Sequence, residues 1–109
     1  MAKAKYWHKG NAIDFINGTD AVIEANTIVA VGKRVGVAGT DIAPGETGSL
    51  VMEGVWKFPK GDADVTAGDA VYFNVDGGII TKADTDIPAG YATETAGAAA
   101  TEVLVKLIG

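Results

Sequence analysis

The stretch AVYFNV at residues 70–75, followed by DGG at 76–78 and IITK at 79–82, decides the fold class of this chain. Apolar side chains in the first run alternate with Tyr72 and Asn74, so they share one face of an extended strand. The two glycines after the aspartate tolerate the backbone conformations of a tight turn, and a second apolar run follows them. The stretch therefore predicts a β-hairpin with one buried face.

The same pattern continues on both sides of this hairpin. From Gly10 onward, short apolar runs are cut by Gly, Asp or Asn roughly every eight to twelve residues, a spacing typical of all-β sandwiches and barrels. Gly54 predicts a bulge or bend inside the longest run, and Pro88–Gly90 predict a turn. The predicted strands are Ala12–Ile16, Thr27–Val31, Arg34–Ala38, Gly48–Phe58, Ala70–Val75, Ile79–Lys82, Tyr91–Thr95 and Thr101–Ile108. We therefore expect an all-β fold, a small β-barrel or sandwich of short antiparallel strands.

A weak internal similarity accompanies this pattern. Gly10–Phe15 (GNAIDF) and Gly68–Phe73 (GDAVYF) agree in residue type at nearly every position. Two equivalent strand starts would explain the similarity. Chance and common turn chemistry explain it equally well, because Gly-Asn and Gly-Asp are ordinary dipeptides before a strand.

The length and the charge distribution predict the domain organisation. A chain of 109 residues suits one domain, because two cores of half this size would each bury too little surface to offset the entropy of ordering. The first residues stand apart, since Lys3, Lys5 and Lys9 carry positive charge with no acid among them. We expect an N-terminal arm at residues 1–9 and a single β-rich domain at residues 10–109.

Two adjacent aromatic residues, Tyr6 and Trp7, lie within this basic arm. Exposed aromatic side chains are costly to leave in water and are typical anchors at interfaces. We therefore predict partner contacts at Lys3, Lys5, Tyr6 and Trp7. The alternative is that the two aromatic side chains pack back on their own domain.

The overall composition excludes several classes of protein. With 14 acidic and 9 basic side chains the formal charge is −5, so most of the surface would repel a nucleic-acid backbone. The chain has no cysteine, which excludes disulfides, thiolate metal sites and cysteine nucleophiles. The N-terminus lacks the apolar core of a signal peptide, and no apolar run is long enough to span a bilayer. We expect a protein made in a cytoplasm that contacts neither nucleic acid nor membrane directly.

Residue sets that carry chemistry are incomplete in this sequence. Ser49 is the one serine and His8 the one histidine, and the serine lacks the second glycine of a nucleophile elbow. The acidic segment Asp62–Asp69 departs from a calcium loop at its glycine and bidentate glutamate positions. Gly32-Lys33-Arg34 lacks the hydroxyl residue and the upstream glycine of a phosphate loop. We therefore predict no catalytic residue, no metal site and no cofactor.

Five sequence blocks, in their order and spacing, resemble those of a known family. They are Val35–Ala38, Glu53–Lys60 (EGVWKFPK), Ala67–Phe73 (AGDAVYF), Gly78–Thr81 and Val103–Leu107. The chain resembles, over nearly its whole length from about Gly10, the capsid cement or decoration proteins of tailed phages and prophages, once grouped as the uncharacterised domain DUF2190. Some members carry the label of a RecA-type recombinase, but the missing phosphate loop argues against that activity here.

The resemblance implies a structural function. A protein of this kind is a compact β-rich component of the virion that is made in the bacterial host cytoplasm. It binds the major capsid protein on the outside of the assembled head and stabilises the head against internal DNA pressure. A homo-oligomer, with a trimer favoured, would suit assembly around symmetry axes. Cementing needs no catalytic residue, because weak contacts repeated over a lattice sum to a large effect.

In such a protein the arm could add a strand to an exposed edge of the capsid, the β-augmentation mode of binding.

Two other functions remain open on the sequence alone. A non-catalytic β-barrel module that binds a ligand or carbohydrate is the alternative, with Trp56 or Tyr72 stacking on a sugar ring. A small enzyme comes last, because no acid, base and nucleophile can be assembled.

Overall fold

A computed structural model describes residues 2–6 and 10–108, and within them the chain forms nine strands and no helix. The strands are β1 (Ala12–Ile16), β2 (Ile28–Val31), β3 (Arg34–Ala38), β4 (Thr47–Val51), β5 (Glu53–Pro59), β6 (Ala70–Asn74), β7 (Ile79–Thr81), β8 (Ile87–Ala92) and β9 (Glu102–Ile108). Residues 2–6 have no regular secondary structure. No helix within the described ranges could span a membrane.

The strands form two antiparallel sheets. One has four strands in the order β1-β4-β3-β2, and the other has five in the order β5-β9-β8-β6-β7. A single parallel bridge between Lys60 and Ile80 brings the two edges of the larger sheet together at one end, without closing a barrel among the described residues. The predicted all-β fold, a barrel or sandwich of short antiparallel strands, is confirmed.

The main core fills the inside of the five-stranded sheet. Phe58 and Phe73 meet edge to face with ring centroids 6.4 Å apart, a favoured aromatic geometry. Alternation along β9 buries every second side chain, and these are Val103, Val105 and Leu107. Val35 and Val37 of β3 join this core from the four-stranded sheet and thereby hold the two sheets together.

The longest predicted strand is two strands. Gly48–Phe58 was expected to be continuous with a bend at Gly54, but the chain leaves the first sheet after β4 and joins the second at β5. The break falls at Met52, whose buried side chain belongs to the core of the four-stranded sheet. Gly54 has a positive φ of 100°, but the pairing of β5 with β9 runs through it without a register shift.

The predicted turn at Pro88–Gly90 is also wrong. These residues lie inside β8, a central strand that ends at Ala92, where the sequence predicted Tyr91–Thr95. A register shift between Val71 and Tyr72 of the neighbouring strand explains how β8 accepts a proline. Proline cannot donate a ladder hydrogen bond and is tolerated in sheets mainly at edges and bulges.

The two sheets repeat one topology. We call β1–β4 the first unit, and β5 with β6, β8 and β9 the second unit; β7 is an addition that pairs with the outer edge of β6. The orders β1-β4-β3-β2 and β5-β9-β8-β6 correspond strand for strand, and all pairs are antiparallel. The matched cross-strand pairs are Phe15↔Gly48 with Phe58↔Val103, Val29↔Gly36 with Val71↔Gly90, and Ala38↔Leu50 with Ala92↔Val105.

The loops follow the same repeat. Ile23 and Ile42 exchange backbone hydrogen bonds in the first unit, as Val65 and Ala96 do in the second. The repeat also aligns Gly68–Phe73 with Asn26–Val31, because β6 corresponds to β2. The similarity of Gly68–Phe73 to Gly10–Phe15 therefore does not mark equivalent strands.

Buried polar side chains occupy matching places in the two units. Asn17 and Lys60 follow β1 and β5 directly, and they are the buried polar or charged residues of the described chain. Asn17 Nδ2 donates to the carbonyl oxygens of Ala21 and Ile42, each at 2.8 Å. Lys60 Nζ donates to those of Gly61 and Ala63 at 2.8 and 2.6 Å. Each residue therefore fixes the loop that follows its strand.

Candidate interaction surface

The N-terminal arm presents its side chains to solvent over residues 2–6. Tyr6 is 76% exposed, so its ring does not pack on the domain as one alternative predicted. Trp7 and His8 lie outside the described residues. Lys3 and Lys5 alternate with Ala2, Ala4 and Tyr6, the period of a strand with one basic face.

The arm's charges have no acidic partner in the described chain. The one ion pair found there joins Lys82 and Asp69, whose atoms Nζ and Oδ2 are 3.1 Å apart. Two ammonium groups in an acidic protein are therefore available to a partner. The contact at Lys3, Lys5, Tyr6 and Trp7 stays a prediction.

No set of residues for hydrolysis comes together among the residues that the structure describes, which do not include His8. Ser49 is an exposed residue of β4, and its hydroxyl makes no hydrogen bond in the described structure. Gly32 has a φ of 58° and turns the chain tightly from β2 to β3, which accounts for the glycine of Gly32-Lys33-Arg34. The described residues contain no group of three His, Asp or Glu side chains placed to hold a metal ion.

The acidic segment before β6 shapes a turn. Asp69 accepts a hydrogen bond from the main-chain N–H of Thr66 at 2.9 Å and pairs with Lys82. Asp62 and Asp64 are exposed. Asp69 is therefore engaged with its own backbone and with Lys82.

This contact predicts a pH dependence of stability. The Thr66 N–H and then the Lys82 ammonium hold the pKa of Asp69 below its usual 3.8. A lowered folded-state pKa stabilises the fold above the unfolded value, and the contribution is lost as pH falls through the folded value. We expect Asp69→Asn to lower Tm slightly at neutral pH and to reduce the acid-induced fall in Tm. Thermal melts from pH 7 to about pH 2 measure this.

Asp76→Asn is the matched control, because Asp76 lies exposed in the turn after β6. It should leave the acid-induced fall in Tm unchanged. An identical pH profile for Asp69→Asn and the wild-type chain would contradict the assignment.

The two candidate stacking residues are partly withdrawn from solvent. Trp56 packs against the main core, and its indole N–H donates to the carbonyl of Glu53 at 3.1 Å. It lines a shallow groove of about 370 Å³ between the two units, together with Ile28, Val37 and Phe58. Tyr72 is half-buried on β6. A sugar ring would therefore meet Trp56 in this groove and not on an open platform.

The outer surface of β5, β8 and β9 carries an apolar patch that the sequence analysis missed. Val55, Tyr91 and Ile108 are exposed there, and Lys106 Nζ lies 6.0 Å from the centre of the Tyr91 ring. The signal was present in EGVWKFP, because Val55 alternates with Trp56 and Phe58 and therefore points to the opposite face of the strand.

The comparisons with known proteins identify the family. The family model described as phage cement protein matches residues 7–107. The chain belongs to the phage cement protein family. This cement protein matches no curated protein and no solved structure. Lys3, Lys5 and Tyr6 precede the matched segment, so the contact predicted for them rests on their own chemistry.

Membership confirms the resemblance of the five sequence blocks. A cement protein is a structural protein of a phage, so this member has a structural role at the capsid of a virion. The exposed faces of its two sheets and its basic arm are therefore the surfaces to consider for contacts.

Proposed function

We propose that this chain decorates the outer surface of the assembled phage head, binds the major capsid protein there and stabilises the shell. The observation that carries the proposal is the family match over residues 7–107. The described structure supports it, because exposed apolar side chains cluster on the outer surface of β5, β8 and β9, and residues 2–6 present two lysines and a tyrosine to solvent. The chain acts without catalysis and without a cofactor.

The arm supplies one of the contacts with the capsid. Residues 2–6 are exposed and alternate in character, so they can add a strand to a free sheet edge. Lys3 and Lys5 would then face one side of that strand, and Tyr6 the other. Main-chain hydrogen bonds would give affinity, and the Tyr6 ring would give an anchor.

Repetition on the head accounts for the stabilisation. A protein of 11.1 kDa makes a small contact, but many copies on a lattice act together. A homo-oligomer, with a trimer favoured for a symmetry axis, multiplies this effect. The protein is made in the bacterial host cytoplasm and resides on the capsid exterior, and its negative charge keeps it from binding DNA.

Deletion of the arm tests the proposal. We expect the intact chain to co-sediment with undecorated heads of the parent phage. A chain that begins at Gly10 should keep its fold but bind at least about tenfold more weakly, a loss of roughly 1.4 kcal/mol. Lys33→Ala is the matched control, because this exposed lysine lies at the tip of a hairpin. It should bind as the intact chain does.

The possible results separate the proposals. Binding that survives deletion of the arm would overturn the arm contact and keep the capsid role. Absence of binding by every form would overturn the capsid role. The groove beside Trp56 would then make a carbohydrate-binding module the leading account, with a glycan array as its test.

A further inference from the structure

The second unit shows how this fold covers its apolar face. The closed face, as we call it, consists of Trp56, Phe58, Val71, Phe73, Val105 and Leu107. All but Trp56 are at most 5% exposed. Val35 and Val37 of the first unit cover this face, and so does Ile80 of the added strand β7.

The equivalent face of the first unit lacks such a cover. The open face consists of Ile13, Phe15, Val29, Val31, Leu50 and Met52, which form the smaller apolar cluster. Phe15, Val29 and Val31 correspond to the buried Phe58, Val71 and Phe73, but they are only half-buried. No strand of the described chain corresponds to β7 here, so β2 is an edge strand of wholly apolar sequence.

The outer surface of the second unit carries exposed apolar side chains that could cover such a face. We call this surface the docking face, and it consists of Val55, Tyr91, Leu104, Lys106 and Ile108. In the strand pairing, Tyr91 holds the position that Val37 holds in the first unit. Val37 packs against the closed face. Three of the seven large exposed hydrophobic residues of the described chain lie on this one face. Isolated exposed apolar residues are ordinary, but a cluster marks an interface.

We propose that the open face of one copy receives the docking face of a second copy, so that the contact between the two units is repeated between chains. Each chain carries one open face and one docking face. The contact is therefore head to tail, and it closes into a ring when its rotation divides the circle. Polar side chains at the rim, Glu53, Lys57 and Glu102, give the apolar–centre and polar–rim pattern of protein interfaces.

The contact between the two units indicates that a second copy of this chain is the partner for the open face. The four-stranded sheet already rests on the closed face through small and branched apolar side chains, Val35 and Val37. The docking face belongs to a sheet of the same topology, and it presents Tyr91 in the place of Val37, while Val55 stands in the place of Ala12 and enlarges the apolar surface. The inference goes beyond capsid binding and does not depend on it.

A complementation experiment tests this arrangement. Val55→Glu places a charge on the docking face opposite Lys106, and Val31→Glu places one on the open face opposite Arg34. A cross-strand cation at each site should keep both variants folded, which thermal melts verify. Light scattering should show a multiple of 11.1 kDa for the wild-type chain and 11.1 kDa for each variant.

The mixture of the two variants gives the decisive result. Each variant retains the face that the other has lost, so an equimolar mixture should form a dimer capped at both ends. Val75→Glu is the matched control, because Val75 is 56% exposed in a turn outside both faces, and it should associate as the wild-type chain does.

Three outcomes would overturn the inference. One is a wild-type chain that stays monomeric at its highest soluble concentration. Another is a single variant that still associates, since a symmetric contact of one face with itself would survive loss of the other face. The last is a mixture that stays monomeric while both variants are folded. Co-sedimentation with heads reports separately on the capsid role.

Discussion

Replacing Gly90 with Ala is expected to destabilise the fold by about 4 kcal/mol or more, close to the whole stability of a small domain. Gly90 has a φ of 153°, a backbone conformation that residues with a Cβ rarely adopt. A Cβ there would also overlap the carbonyl oxygen of Lys106 on the neighbouring strand. Neither atom can move away, because both belong to the backbone of central strands β8 and β9.

Urea denaturation of Gly90→Ala measures this loss, and Gly97→Ala is the control. A Cβ at Gly97 meets no atom within 4 Å, so that variant should lie within about 0.5 kcal/mol of the wild-type chain. Equal unfolding midpoints for the two variants would contradict the close approach of β8 and β9 at Gly90.

Replacing Asn17 with Ala is expected to destabilise the fold by about 3 kcal/mol, because buried hydrogen-bonding groups lose their partners. The side chain is fully buried, and its Nδ2 holds the loop through the carbonyls of Ala21 and Ile42. Its Oδ1 accepts hydrogen bonds from the N–H and the hydroxyl of Thr19 at 2.9 and 2.6 Å. Among the described side chains, only the Thr19 hydroxyl, 3.0 Å from the Ala21 carbonyl oxygen, is a second donor to one of these carbonyls.

Chemical denaturation of Asn17→Ala, beside Asn11→Ala, checks this role. Asn11 is exposed, so its replacement should change the free energy of unfolding by no more than about 0.5 kcal/mol. A comparable loss in both variants would contradict a specific role for the buried amide. Asn17→Asp should resemble Asn17→Ala, since a carboxylate cannot donate to the two carbonyls.

Local signals in the sequence predict most of the strands. The alternation in residues 70–75 and 101–108 predicts which side chains face a core, and Val71, Phe73 and Val105 are buried accordingly. Val75 is the exception, because β6 ends at Asn74 and the Val75 side chain is exposed in the turn that follows. Such signals act within a few residues of each other, so they survive without knowledge of the tertiary structure.

The errors arise where distant contacts decide. The strand break at Met52 depends on which sheet each half of the run joins, and no proline, asparagine or aspartate marks the break in the run itself. Pro88–Gly90 have the composition of a turn, but pairing with β6 and β9 holds them in a central strand. Asn17-Gly18 is a dipeptide typical of tight turns, but the asparagine side chain is buried and organises a loop.

The interaction surface was only partly predictable. The arm is conspicuous because its charges and aromatic residues are adjacent in sequence. The open and docking faces combine residues from several strands, such as Phe15 with Val31 and Val55 with Tyr91. The open face is recognised as incomplete only by comparison with the closed face of the second unit, which Val35, Val37 and Ile80 cover.

The single residue between β4 and β5 has a mechanical consequence. Met52 is buried, and its N–H donates to the carbonyl of Asn11. Strand β4 of one sheet ends directly before it, and strand β5 of the other sheet begins directly after it. The two sheets are therefore joined by one buried residue and not by a flexible loop, so a force on one sheet is transmitted to the other through the backbone. Such a connection would suit the proposed role of stabilising a shell, because a load on one sheet reaches the other without passing through a flexible linker.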